Sequence, residues 1–470
     1  MQQRNSSLVA LILGIILPFL FSCTKESIIT SPDAGIFISA DTVHFDTLFT
    51  TVRSITQSFK IFNTNDQKLK LSEVRLAGGT NTAFRINING KPGPAVTDIE
   101  IEANDSIYIF VNTQVPENQQ ALPFVVRDSI RVAWNGNERW VQLDTWGKNA
   151  RFLRNRRISG NQTWTKDLPY VILGGLYIDS NATLNIEPGT KVYLHADAPI
   201  IVDGSIRANG AMAEEDHIIF SSDRLDEPYS NFPGSWPGIY FRSNSNNNQI
   251  NYTEIRNGYQ GIIAEGPGKN GLPKLVINQC ILDNIYDAAL LAINSSIEAN
   301  NSLVSNSGKN IQIIYGGNYR FTHCTIAAYS TRYILHKDPA VLISNAAKID
   351  NTLVTAPLQV NFLNSIVWGE GGSTIENEVA IQQEGNLPYQ VSFSHSIWKM
   401  TTVPSIISTV NTTVADPLFE ETGGENQRYI FKLKEGSPAI DKGLATSIST
   451  DLEGKPRNAG APDAGAYERQ

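Results

Sequence analysis

Residues 330–345 read STRYILHKDPAVLISN and gather Arg332, Tyr333, His336, Lys337 and Asp338 within seven positions. Basic, imidazole and carboxyl groups this close in sequence suit general acid–base work, which requires proton donors and acceptors within hydrogen-bond reach and tuned toward neutral pH. The alternative is a charged, solvated loop. Trp368 and Trp398 each follow a short apolar-alternating strand, in VNFLNSIVWG (360–369) and VSFSHSIWKM (391–400). Exposed in a row, they would stack on sugar rings; turned inward, they would be core, and alternation alone leaves both readings open. No cluster has the spacing of a metal site. Asp451, Glu453 and Gly454 lack the regular acidic run of a calcium loop and read as a tight turn, and Glu214, Glu215, Asp216 and His217 read as a solvated turn.

Cysteine is scarce, with three in 470 residues. Cys23 lies at LPFLFSCTKES (17–27), just after an apolar run from Leu8 to Phe21 that follows Arg4. That run of about 14 residues is shorter than the roughly 20 needed to span a bilayer, so residues 1–22 read as an export signal. Removing them leaves 37 basic against 46 acidic residues, since only Arg4 is lost from the 38. A net negative chain makes nucleic acid an unsuitable partner. About 450 mature residues exceed one ordinary core, and a chain short of amphipathic helical periodicity points to an all-β protein of more than one domain.

The elements that must position these groups fall into two regimes. After a polar tether (23–34), residues 35–150 carry short period-two runs such as SFKIFNT (58–64), LKLSEVRL (69–76) and SIYIFVNT (106–113), with Asn135-Gly136 as a hairpin turn. Their number and spacing fit an Ig-like β-sandwich. From residue 165 to about 412 a repeat takes over. With Ile277, Ala299 and Phe321 as equivalent positions, the period is 22 and then 22, as expected of a solenoid whose coils stack about 4.8 Å apart. Phe321 to Phe362 is 41, close to two coils, and Phe362 to Phe393 is 31, one coil with an extra loop. In this register Cys280, Ser302 and Cys324 share one position. The thiols then lie two rungs apart, about 9.6 Å, beyond the roughly 7 Å a disulfide allows, and read as unpaired inward packing. Gln279, Asn301, His323, Asn364 and His395 form the adjoining row, an amide and imidazole ladder that becomes a sugar-binding stripe if it faces outward.

Leu20-Phe21-Ser22-Cys23 resembles the lipobox of bacterial lipoproteins, which implies that Cys23 is acylated and anchors the chain to the outer membrane, on the periplasmic or the cell-surface face. EPGTKVYL with IIVDGSIRANG (184–210 region) and WPGIYF with INYTEIRNGYQGI (236–262) resemble the right-handed parallel β-helix of the pectin-lyase-like superfamily, as in many secreted Bacteroidetes proteins. DPLF, SPAIDKG, DLEGKPRNAG and DAGAYE, within 413–470, resemble the segment that closes such helices. The resemblance implies a fold that hosts lyases, hydrolases and plain adhesins alike. In the lyases a Lys or Arg takes the proton beside a uronate while calcium neutralises the carboxylate, which would make Lys337 or Arg332 the base and His336 the acid. Three functions therefore stand: binding of an extended polysaccharide along a groove, cleavage of one, and adhesion or scaffolding without a glycan.

Overall fold

The computed structural model describes residues 27–50, 52–116, 124–370, 375–424 and 427–470. Cys23 and residues 1–22, where an export signal is expected, lie outside the described residues. The chain divides into two compact units, Met1–Lys148 and Asn149–Gln470.

In the first unit, alternation places one face of each strand in the core. Phe59 and Ile61 of Gln57–Asn63 are buried while Ser58 is exposed, and Ile107, Ile109 and Val111 of Ser106–Thr113 repeat the pattern. A six-stranded and a five-stranded sheet share one apolar cluster around Phe45, Leu71, Phe84 and Val132. At Asn135-Gly136 both φ angles are positive (43° and 82°) and Trp134 pairs with Asn137, the mirror-image turn whose twist matches antiparallel strands. Residues 28–34, expected to belong to the tether, are held in this unit. Ile28 and Ile29 pair with Lys68 and Leu69, the Asn135 amide holds the carbonyls of Ile29 and Ser31, and the Trp134 indole donates to Ala34 O.

The second unit is a 26-stranded sheet in which strands pair in parallel with the strand one coil later, so that it winds into a parallel β-helix. Parallel pairing starts at Arg151–Ile158, ahead of residue 165, and runs to Thr413–Val414. Three columns of strands result, each coil contributing one segment to each. The 22-residue register is the observed one: Ile277 pairs with Ala299 and Ala299 with Phe321. Phe321, Phe362 and Phe393 follow in register, their rings stacked with centroids 4.6 and 4.5 Å apart.

The 41-residue interval is one coil, not two. Phe321 sits directly against Phe362, and the excess leaves the ladder as the 330–340 loop and an antiparallel hairpin, Ala346–Ile349 with Thr352–Thr355. Cys280 and Cys324 are buried and unpaired, and burial pushes both thiols up to about 12.

A larger departure concerns the C-terminal segment. It does not lie across the end of the coil, where Val410 and Val414 of the last rung stay exposed; it packs along the flank. Phe419, Phe431, Leu433, Leu452, Ala464 and Ala466 cover Leu303, Ala327, Tyr329, Ile366 and Ile397, which project outward from successive coils. The covered strands of that column are thus buried on both faces, which is why IAAY and IVWG read as unbroken apolar runs. Asp451, at the centre of the cover, accepts the N–H groups of Glu453, Lys455 and Glu468 with its carboxylate. It is the tight turn that its sequence indicated.

Candidate functional site

The turns between columns need residues in the left-handed region, where asparagine is tolerated better than most side chains. One row of such turns comprises Asn257, Asn284 and Asn306, with φ of 64°, 57° and 46°. Each follows the last residue of a ladder strand, since Arg256 pairs with Asp283 and Asp283 with Ser305. The amides link the coils: Asn284 Nδ2 donates to Asn257 Oδ1 (2.8 Å) and to the carbonyl of Asn231 (2.8 Å), and Asn257 Nδ2 donates to Ser230 O (2.7 Å). Asn306 Oδ1 is buried without a hydrogen-bond partner.

This row floors an open cleft of about 620 Å³. Its walls are the 227–231 loop, the 331–333 turn and the start of the strand Arg428–Leu433, bringing Glu227, Arg332, Tyr333 and Tyr429 to the rim. A smaller hollow of about 370 Å³ shares Arg256, Asp283, Asn306 and Tyr429 with it. Charge in the floor is matched. Arg256 bridges Glu254 (2.9 Å) and Asp283 (3.3 Å), and Asp283 also accepts the Ser305 hydroxyl at 2.6 Å. Burial works against ionisation of Glu254, yet Arg256 and His217 outweigh it and hold its carboxyl below the usual value. At the rim Glu227 accepts the Ser230 hydroxyl and the Asn231 amide. Amides and hydroxyls that both donate and accept, together with carboxylates already engaged, make a surface suited to holding hydroxyl groups rather than to moving protons.

The acid–base cluster of 332–338 does not assemble. Thr331 Oγ1 accepts the N–H groups of Tyr333 and Ile334, and Ser330 Oγ accepts that of His336, a tight turn that sends neighbouring side chains in opposite directions. Arg332 and Tyr333 reach the cleft, Tyr333 meeting Phe232 edge-on at 4.9 Å. His336 is 2% exposed and turned inward, its Nε2 2.9 Å from Oε1 of Glu378, which is itself fully buried and accepts Ala340 N–H with its other oxygen. Lys337 and Asp338 are exposed and do not line the cleft. Of the two bases that reading offered, Lys337 stands outside the cleft and Arg332 lines it, while the acid, His336, is locked beneath the surface and cannot reach a substrate held there. Glu378 carried no signal of its role, lying 42 residues from His336.

Neither tryptophan is an open sugar platform. Trp398 is 1% exposed and inside the coil, against Phe393 at 4.6 Å; Trp368, at 7%, lies under the flank cover. They do not share a position, because Trp398 pairs with Val367 and Trp368 with Ala327. In the row from Gln279 to His395, the middle members Asn301, His323 and Asn364 are fully buried and meet no ligand from solvent. Asn364 exchanges hydrogen bonds with Leu444 O and N, and Asn301 is held by Arg457 and Thr450 O, all from the C-terminal segment.

Among the described residues, no group of three His, Cys, Asp or Glu side chains is arranged to hold a metal ion. The cleft carboxylates, each already bound by protein donors, do not fit the oxygen cage of calcium. No helix among the described residues is long and apolar enough to cross a membrane. The signal for the cleft was present in RNGYQG, LDNIYD and VSNSGK, whose asparagines recur after 27 and then 22 residues, each step one coil.

No family model and no curated protein matches the chain. Solved structures overlap it in part. They include a family 123 glycoside hydrolase from Clostridium perfringens, studied for glycolipid glycan hydrolysis (13% identity, 27% of this chain and 30% of that one, TM-score 0.20). A PapD-like domain of human CEP192 overlaps at 10% identity (26% of this chain and 89% of that one, TM-score 0.17). The Pseudomonas fluorescens alkylpurine DNA glycosylase AlkC does so at 15% (25% and 31%, TM-score 0.15). The chain spans about 30% of the length of the hydrolase. Overlaps this small carry no argument about fold or chemistry.

Proposed function

We propose that the protein binds an extended polysaccharide at the cell envelope, gripping it in the cleft over Asn257, Asn284 and Asn306. In this reading residues 1–22 direct export, Cys23 carries the lipid that anchors the chain to the outer membrane, an Ig-like sandwich acts as spacer, and a right-handed β-helix presents the cleft. The observation that supports it best is the lining: amides and hydroxyls in the floor, matched charges, and the rings of Tyr333 and Tyr429 at the rim. Such a surface pairs with sugar hydroxyls through hydrogen bonds and with sugar C–H faces through aromatic rings.

The test is affinity electrophoresis of the purified protein through gels carrying pectic, alginate, glycosaminoglycan or neutral glucan chains, with and without calcium. Reducing ends and unsaturated-product absorbance are followed in parallel. Retention by one polymer without new chain ends is expected. New ends would make the protein a polysaccharide lyase or hydrolase instead, and neither retention nor cleavage would leave adhesion or scaffolding.

A further inference from the structure

We infer that Tyr259 and Tyr286 form a stacking subsite for an uncharged pyranose beside the cleft. The inference rests on the polysaccharide reading above and adds the class of sugar and the residues that meet it. The two tyrosines stand two positions beyond Asn257 and Asn284, so coil spacing places one over the other. Their ring centroids are 5.3 Å apart with planes 26° from parallel. Both rings remain in water, at 48% and 54% exposure.

Their backbones are fixed. Tyr259 N–H donates to Trp236 O and Tyr286 N–H to Gly258 O. Gly234 backs Tyr286 so closely that a Cβ there would sit 3.3 Å from the tyrosine Cβ. An aromatic surface held this firmly loses little freedom when a ligand covers it.

The surroundings select the ligand. The residues following the tyrosines are Gln260 and Asp287, and the Asp287 carboxylate accepts Gln260 Nε2 at 2.7 Å and Lys309 Nζ at 2.9 Å. The cation is thus matched within the site and recruits no uronate, while the carboxylate keeps lone pairs for sugar hydroxyls. Two rings ringed by polar groups are also far smaller than the apolar core of a protein interface. A sugar ring, apolar on its C–H face and hydroxylated at its edge, matches both parts.

The experiment compares the full chain with Tyr259→Ala/Tyr286→Ala, Tyr259→Phe/Tyr286→Phe and Tyr333→Ala on gels of glucomannan and mixed-linkage β-glucan (neutral) and of polygalacturonate and alginate (anionic). The expected result is retention on a neutral gel, weakened roughly tenfold by the double alanine variant and largely kept by the double phenylalanine variant. Melting temperature checks the fold, and either single alanine variant serves if the double one does not fold. Full retention of the alanine variants while Tyr333→Ala weakens binding would overturn the subsite and leave the cleft standing. Retention on the anionic gels alone would overturn the neutral class. If no gel retains the wild-type protein, the cleft reading falls and this one with it.

Discussion

The row Gln279, Asn301, His323, Asn364 and His395 and the row Asn257, Asn284 and Asn306 use the same backbone device, with φ between 45° and 64° throughout. Both link coils through side chains: Asn364 to His323 at 2.9 Å in one, Asn284 to Asn257 at 2.8 Å in the other. The first is sealed at its middle, where the C-terminal segment holds Asn301 and Asn364, and the second opens onto a cleft. A ladder of polar turn residues is thus a scaffold first. Whether it becomes a binding surface depends on what the rest of the chain lays over it.

Substitutions can break that contrast, and the largest effect is expected at Arg457. Its guanidinium is buried against Glu468 at 3.0 Å and also reaches Asn301 Oδ1 and the carbonyls of Gly465 and Ala466. Arg457→Ala strands a buried carboxylate and should cost about 3–5 kcal/mol in chemical denaturation. It should also expose residues 419–470 to protease, and an unchanged digestion pattern would show that the cover is held by its apolar contacts alone. Next comes a matched pair, Asn364→Ala and Asn284→Ala. Both positions have positive φ, so the backbone penalty is common and the difference reports the cover. Asn364→Ala should lose roughly 2–3 kcal/mol because the buried His323 Nε2 loses its partner and the Leu444 N and O lose theirs, against about 1 kcal/mol for Asn284→Ala, which should weaken glycan retention instead.

His323 sharpens the comparison through pH. Burial first, and then the nearby Arg457 charge, push its imidazole down to about 3, against about 6.5 in an unfolded chain. A base whose folded value is depressed stabilises the fold above the unfolded value and loses that contribution as pH falls from about 6.5 toward 3. Asp463, in the same cover, is raised by burial and acts in the opposite sense, so the test is a difference. His323→Gln, a residue the row already accepts at Gln279, should show a smaller drop in melting temperature between pH 7 and pH 4 than the wild type. Equal drops would mean that His323 is not what acid attacks. The smallest stability effect belongs to Tyr333→Ala on the open side, within about 0.5 kcal/mol of wild type, with glycan retention nonetheless reduced. A variant that melts early but binds normally would turn the rim into mere packing.

The coil was legible because its inner positions repeat: Phe321, Phe362 and Phe393 occupy one column and must be large and apolar to fill it. The direction of Trp368 was not, for a physical reason. Alternation reports facing only where one side of a strand is wet, and the strand Ile366–Glu370 is buried on both sides through Gly369. The pairing of His336 with Glu378 was equally hidden, since an insertion separates them and no coil period relates the two. Ile28 and Ile29 were misread as tether because two residues are too few to show a strand pattern. Of the candidate site, Arg332 was read as a possible base and lines the cleft, whereas the asparagine floor recurs after 27 and then 22 residues, a spacing that the first insertion disguised.

The flank cover has a consequence in time. Each coil meets its neighbour across a few tens of residues, so coils can form in sequence as the chain is made. The cover closes far longer loops: Arg457 reaches Asn301 across 156 positions, and Ala466 N–H reaches Thr325 Oγ1 across 141. Contacts of that separation form late. Until the last stretch of chain arrives, Ala327, Ile366 and Ile397 form a greasy stripe on an otherwise finished coil. The cover therefore acts as a late check on assembly: a chain cut before residue 419 would keep its rungs with that stripe bare, and one that carries 419–466 has it covered.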